Sequence, residues 1–269
     1  LVIDTSGSMS GTRLAAAKNA ANSFIDTLLP STTTRIGIVN FDFYAHDVEA
    51  LSNDATTLKN AISNLQAGGG TFTQAGVKQA EAMLANSTAN HKHIVLLSDG
   101  RPTYSYQIPN ATTRRAGYVL EGNIYNTGTS YSSAAYGTSR VGNGSDIDEY
   151  IERYNNRRAY YHHGNSAIAE AGFAKTAGYR VWTIALEVDA TGQSVLQQMA
   201  SPNSYFTATS ADLNTIFAQI AGEIGAAVKN ASVSDPMGQG FVIPAAYVGS
   251  ISTIPATPEA TYDSDTKKI

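Results

Sequence analysis

The sequence predicts an α/β fold: a doubly wound, mostly parallel sheet flanked by helices, with one large insertion and the start of a β-rich segment at the end. Two observations carry this. Apolar residues switch repeatedly between short continuous runs and three-and-four spacing, the pattern of a parallel sheet covered by helices. Three polar loops, Asp4 to Ser8, Gly68 to Thr73 and Ser98 to Gly100, fall at or beside the carboxyl ends of expected strands, where such sheets bind ligands.

Leu1 to Ile3 reads as the first strand. Residues 11 to 29 follow as a helix, with Leu14, Ala17, Ala21, Phe24, Ile25 and Leu28 on one face and Pro30 closing the segment. Arg35 to Phe43 is a strand and Ala45 to Leu51 its antiparallel neighbour. Helices are expected near 54 to 65 and 73 to 86, separated by Gly68-Gly69-Gly70-Thr71. His93 to Leu97 is a strand ending at Ser98-Asp99-Gly100. Further on, the pattern gives a helix over Ala167 to Ala177, a strand over Arg180 to Leu186, a short helix over Val195 to Ala200, a short strand over Ser204 to Thr207 and a last helix over Ala211 to Val228. Strand and helix alternating in this way imply right-handed crossovers.

Two stretches break the alternation and set the domain organisation. The main domain spans 1 to 228, interrupted by an insertion at 101 to 165 that holds 10 of the 15 tyrosines, seven arginines, five acidic residues and no lysine. A structureless loop of that length is improbable in a compact domain, so a folded arm is expected. Residues 229 to 269, with Pro236, Pro244, Pro255 and Pro258 between strand-like runs, read as the start of a β-rich, stalk-like domain.

Composition narrows the function classes. The chain has 269 residues, 42% of them hydrophobic and 15% charged, with a net charge of -4; nothing in that balance points to nucleic acid or an anionic membrane. No window approaches a membrane span, so no membrane insertion is expected. Because Leu1 to Asp4 already reads as a buried strand, natural sequence is expected to precede it. The absence of cysteine excludes disulfides and thiolate metal sites, which is ordinary for a bacterial protein.

Chemistry concentrates in five oxygen-bearing residues. Asp4, Ser6 and Ser8 form D-x-S-x-S at a strand end, Thr71 follows three flexible glycines, and Asp99 ends another strand. Oxygen donors without His or Cys favour a hard cation, Mg²⁺ or else Mn²⁺ or Ca²⁺, over zinc. Two carboxylates balance a divalent charge and leave an incomplete shell that suits an incoming carboxylate. Taken alone, D-T-S-G-S also fits a helix N-cap.

Together with Gly-Gly-Gly-Thr-Phe-Thr and Leu-Leu-Ser-Asp-Gly in this order, the motif resembles the metal-ion-dependent adhesion site of the von Willebrand factor A family, whose fold is Rossmann-like. The resemblance implies direct metal binding by Ser6 and Ser8, direct or water-mediated binding by Thr71, and water-mediated binding by Asp4 and Asp99. The cysteine-free chain, the insertion after Asp99 and the β-rich continuation also resemble the tip adhesins of Gram-positive pili. That likeness implies a virulence-associated adhesin at the cell surface or cell wall, secreted, with pilus backbone subunits as partners and an acidic group of an extracellular-matrix protein as ligand.

Tyrosine and arginine enrich interfaces, which makes Arg101, Tyr104, Tyr106, Tyr160 and Tyr161 candidate ligand contacts. For most single tyrosines, packing within the insertion is the stronger expectation. No G-x-S-x-G elbow, Walker loop or H-E-x-x-H is present, and no catalytic residue is expected. An intracellular assembly scaffold and, behind it, a metal-dependent hydrolase are the competing readings. His91, His93, His162 and His163 are expected to be solvated or packing residues, and Asp42 and Asp47 exposed strand-end charges.

Overall fold

A computed structural model describes residues 1–109 and 117–229. In chain order, β1 (Val2–Asp4) leads through a 3-10 turn at Gly7–Met9 into α1 (Thr12–Leu28). There follow β2 (Ile36–Phe41), β3 (Ala45–Ser52), α2 (Ala55–Ser63), α3 (Thr73–Ala85) and β4 (His93–Ser98). The inserted region contributes β5 (Ser105–Tyr106), β6 (Tyr118–Glu121), β7 (Ile124–Thr127), β8 (Arg140–Val141), β9 (Asp148–Tyr154) and β10 (Arg157–His162). The chain then returns through α4 (His163–Thr176), β11 (Arg180–Leu186), α5 (Ala190–Met199), β12 (Tyr205–Ala208) and α6 (Leu213–Lys229).

The main sheet runs β12-β11-β4-β1-β2-β3, parallel throughout except for the antiparallel edge strand β3. The expected fold class is therefore the one observed. Buried on both faces, the strands carry continuous apolar runs because each side chain, whichever way it points, meets a helix layer. On one face Val2, Val39, Phe41, Leu96 and Val181 pack with Val77 of α3, Ala171 of α4 and Leu196 of α5. Their alternates Ile3, Ile38, Leu97 and Ile184 are buried too, as are Ile25 of α1 and Leu58 and Ile62 of α2. Among the described residues no helix is long and apolar enough to cross a membrane.

Two helices begin earlier than periodicity indicates. His162 caps α4 by accepting the Asn165 backbone N–H at 3.0 Å, and Asp189 caps α5 by accepting that of Gly192 at 2.9 Å. Their first turns, His-Gly-Asn-Ser and Ala-Thr-Gly-Gln, contain too few apolar residues to register the helical period. The expected start of α4 at Ala167 and of α5 at Val195 are corrected accordingly.

The insertion is folded, as its length demanded. It forms a four-stranded sheet, β6-β7-β10-β9, and a two-stranded one, β5-β8. Its core is aromatic: Tyr136 and Tyr161 pack with Ile108 and with Ala169 of α4, flanked by Tyr118, Tyr131 and Phe173. The chain divides into Leu1–Gln219 and Ile220–Ile269; of the second unit only the end of α6 is described, and the β-rich segment expected from 229 on lies, beyond Lys229, outside the described residues.

Two buried groups bind the arm to its parent. Gln74 of α3 accepts the Tyr106 N–H at 2.8 Å and donates to Glu170 of α4 at 2.9 Å. His163 shares a 2.8 Å hydrogen bond between Nδ1 and Ser105 Oγ, and burial, with His162 beside it, pushes the ring down to about 3. The unfolded chain takes up a proton below 6.5 that the folded ring refuses until about 3, so this group removes stability as pH falls through that interval. Urea unfolding is expected to show a larger loss between about pH 7 and about pH 4 in the wild type than in His163→Gln.

Close packing sets a second expectation. A Cβ at Gly76 of α3 would lie 2.6 Å from Phe41 Cδ1 and 3.1 Å from Val2 Cγ1. Gly76→Ala gains about 1 kcal/mol of helix propensity but overpacks a site whose neighbours are buried, at a cost of about 1–3 kcal/mol. Net destabilisation is expected in chemical denaturation.

Candidate functional site

β1 lies between β2 and β4, and the chain leaves it toward β2 first and toward β4 later. The crevice at the carboxyl ends of β1 and β4 is thus a topological switch point, the place where an open α/β sheet leaves room for a ligand. Asp4 ends β1, and Ser98-Asp99 end β4.

Asp4 is fully buried. Its Oδ1 accepts the Ser6 N–H at 2.7 Å, and its Oδ2 accepts Ser98 Oγ–H at 2.5 Å. Ser6 and Ser8 bring their hydroxyl oxygens to 3.1 Å of each other, and Ser8 Oγ donates to Asp99 Oδ1 at 2.7 Å. The other oxygen of Asp99 accepts Arg13 Nη1 at 2.9 Å, while Arg13 Nε donates to Glu187 at 2.9 Å. Of the two serines, Ser6 is buried and Ser8 opens to solvent.

Thr71 joins this cluster because the glycine loop is zipped onto the first one. Gly7 N–H donates to Gly69 O at 3.0 Å and Gly68 N–H to Thr5 O at 2.8 Å. Gly69 has φ +78°, and a Cβ there would strike the Phe43 ring at 2.6 Å, so glycine is required on both counts. A Cβ at Gly100 would lie 3.3 Å from Thr71 Oγ1 and 3.8 Å from Ser8 Oγ, which places both hydroxyls around one point. All five residues expected from the sequence are therefore gathered at one end of the sheet.

Electrostatics shows what the cluster lacks. Burial first, and then the neighbouring Asp99 charge, push Asp4 up to about 7; burial also raises Asp99. Burial disfavours the charge on both carboxylates, and a divalent cation among these oxygens would relieve both. Among the described residues no three His, Cys, Asp or Glu side chains come together as a metal cluster. A cation here would be held by two carboxylates and three hydroxyls, a donor set that fits hard, oxygen-preferring ions.

Above the cluster is a cleft of about 310 Å³. It is lined by Ser6, Ser8, Gly70 and Thr71 of the two loops, by Arg101, Val188 and Asp189, and by Gly144-Ser145 of the arm. Of the five candidate ligand contacts, Arg101 lines this cleft. Tyr104 is buried, and a Cβ on Gly70 would meet its ring at 2.5 Å, so it packs behind Gly70. Tyr106 packs against Phe72 with ring centres 4.8 Å apart and planes tilted by 56°, and it borders a second cleft with Tyr44 and Arg140. Tyr160 and Tyr161 are not brought to either cleft: Tyr160 meets Tyr150 at 5.9 Å, and Tyr161 is buried in the arm's core with its hydroxyl on Ile108 O.

The histidines and the second acidic pair fall where packing places them. Burial and Arg180 push His93 down to about 4, and its Nδ1 accepts Trp182 Nε1–H at 3.1 Å. Asp42 accepts the Tyr44 N–H at the β2–β3 turn, and Asp47 is exposed on β3. Sequence reading missed Arg13 and Asp189, and it placed Ser98 in a polar loop without the role of holding Asp4. Nothing in their local pattern separates them from ordinary helix-start and strand-end residues.

Residues 1–101 match the family described as the von Willebrand factor type A domain. The chain carries a von Willebrand factor type A domain. The minor fimbrium subunit Mfa5 of Porphyromonas gingivalis is 31% identical over 325 aligned residues, which take in 100% of this chain and 26% of Mfa5. The crystal structure of the vWF domain of Mfa5, described as a type V pili tip protein, superposes with a TM-score of 0.80 at 28% identity, covering 86% of this chain and 96% of that one. The pilus adhesin SpaC of Lactobacillus rhamnosus GG shares the fold, with a TM-score of 0.67 at 22% identity over 85% of this chain and 30% of SpaC. The chain spans 26% and 24% of the lengths of the curated relatives it matches, so it corresponds to about a quarter of such proteins. The von Willebrand factor type A match covers β1 to β4, the part that holds all five oxygen donors; the arm lies beyond it. The Gram-positive likeness needs widening, because Mfa5 comes from a Gram-negative organism.

Besides the buried Gln74 and His163 bonds, Arg140 anchors the arm to this type A domain. Arg140 donates to Phe43 O at 2.6 Å, with its guanidinium 4.4 Å from the Tyr104 ring centre and 4.6 Å from that of Tyr44. Cation–π contacts of this kind contribute about 0.5–2 kcal/mol each. Arg140→Ala is expected to speed limited proteolysis within the arm severalfold while moving the unfolding midpoint little.

Proposed function

We propose that this domain is the adhesive head of a pilus-tip protein at the cell surface. Asp4, Ser6, Ser8, Thr71 and Asp99 hold one divalent cation, Mg²⁺ by preference, and an acidic side chain of a matrix or other surface protein completes its shell. The observation that carries the reading is the convergence of five oxygen donors, two of them buried carboxylates, beneath an open cleft at the switch point. Likeness to Mfa5, described as a fimbrial subunit and a pili tip protein, supports the location and the partnership with other pilus subunits.

When bound, the cation supplies a Lewis-acidic position for a carboxylate oxygen. The chain does the rest. Three neutral hydroxyls leave that acidity less quenched than further carboxylates would, and Ser98 and the Ser6 N–H fix the Asp4 carboxylate in place. Gly69 and Gly70, which line the cleft, place no side chain in it. No hydrolytic role is proposed: half-buried His93, at the start of β4, accepts from Trp182, and buried His163 shares its Nδ1 hydrogen bond with Ser105.

Calorimetry is expected to detect stoichiometric Mg²⁺ or Mn²⁺ binding in the wild type and none in Asp4→Ala. Adhesion to immobilised matrix proteins should disappear in EDTA and return with excess Mg²⁺. Adhesion that persists in EDTA, or in Asp4→Ala, would overturn the metal-bridged mechanism.

A further inference from the structure

The cleft contains one cation that the cluster below does not use. Arg13 is engaged elsewhere: its Nε donates to Glu187 and its Nη1 to Asp99 and the Ser8 carbonyl, and it is not among the residues lining the cleft. Arg101 is different. Among the described residues its ion-pair partner is Asp189 alone, Nε to Oδ2 at 3.3 Å, with both side chains about half exposed (45% and 53%). A contact that is long, single and wet contributes little. Asp189 is divided as well, because its Oδ1 caps α5 through the Gly192 N–H. The guanidinium therefore keeps most of its five donors for a carboxylate that could take two in parallel, the geometry that fork prefers.

Its position matters as much as its freedom. Arg101 follows Asp99 by two residues, so their Cα atoms are separated by at most roughly 7 Å. The intervening Gly100 lies against the Thr71 and Ser8 hydroxyls. In an extended peptide, side chains at i and i+2 point to one face at about the same separation. We propose that the cleft reads two acids: an extended peptide segment places one carboxylate on the cation and a second, two residues away, on Arg101, which exchanges Asp189 for it. This rests on the metal-bridged reading above and adds to it the chemical class of the ligand. Arg101 and the hydroxyl-bearing Ser6, Ser8 and Thr71 line the same cleft, together with Gly144 and Ser145 of the arm.

The probes are two blocked pentapeptides, acetyl-Gly-Glu-Gly-Gly-Gly-amide and acetyl-Gly-Glu-Gly-Glu-Gly-amide, titrated into Mg²⁺-loaded protein and into EDTA-treated protein. Because the protein's net charge is -4, general attraction does not favour the second peptide. The wild type is expected to bind the two-acid peptide roughly three- to tenfold more tightly. In Arg101→Gln, checked for an unchanged melting profile, the ratio of the two affinities falls to about one. Asp189→Asn, which keeps a capping side chain while removing the competing charge, widens the ratio. Equal affinities in the wild type, or a preference that survives Arg101→Gln, would overturn the two-acid reading and leave the metal bridge standing. Binding of the one-acid peptide that ignores EDTA, or no binding of either peptide, would overturn both.

Discussion

The structure turns on one carboxylate that has been taken out of water. Asp4 ends a strand of three residues, paired on both sides, and has nowhere to swing. A buried carboxylate without compensation raises its proton affinity or recruits partners, and Asp4 does both, rising to about 7 while drawing in Ser98 and the Ser6 N–H. Those bonds shape the loop after β1, because accepting the Ser6 N–H folds the chain back so that Ser6 and Ser8 present their oxygens on the same side. The helix that follows then places Arg13 against Asp99.

Around that carboxylate, neighbouring segments are held by backbone rather than side-chain bonds. Gly7 to Gly69, Gly68 to Thr5 and Thr5 to Phe41 tie three loops into one surface, each through a peptide N–H. Such contacts tolerate changes in side-chain identity at the positions between them. They do not tolerate a Cβ at Gly69, where positive φ and the Phe43 ring coincide. The rigidity of the site thus comes from sheet-end backbone, and its chemistry from a few side chains that the backbone aims.

Legibility in the sequence followed the same division. The sheet was readable because each parallel strand is buried on both faces and leaves an unbroken apolar run, as in Ile94 to Leu97 or Val181 to Leu186. Four of the five oxygen donors were readable because they sit at or just past the end of such a run, and Thr71 because it follows three glycines. The starts of α4 and α5 were hidden by polar first turns whose caps, His162 and Asp189, act only in three dimensions. Arg13 and Asp189 reach the cleft across sequence separations of 86 and 88 residues from Asp99 and Arg101, and no local pattern records such pairings. The arm showed its composition but not its wiring. Most of its tyrosines build its own core, as Tyr136 and Tyr161 do, and the residues that reach the cleft, Gly144 and Ser145, carry no compositional mark.

That wiring changes what the arm is. Read as an appendage, it could be removed without consequence for the oxygen cluster beneath it. Yet Thr103, at its root, accepts the Thr71 N–H at 2.9 Å and donates its own N–H to Thr71 O at 2.9 Å, so it grips one of the five donors from both sides of its peptide. Tyr104 then fills the space behind Gly70, and Gly144 closes over the Tyr104 hydroxyl. Arg101, which lines the cleft, and Thr103, which positions Thr71, are only two residues apart. Changes in the arm that shift Thr103 must therefore alter the oxygen cluster, and the order of that cluster must in turn constrain the arm.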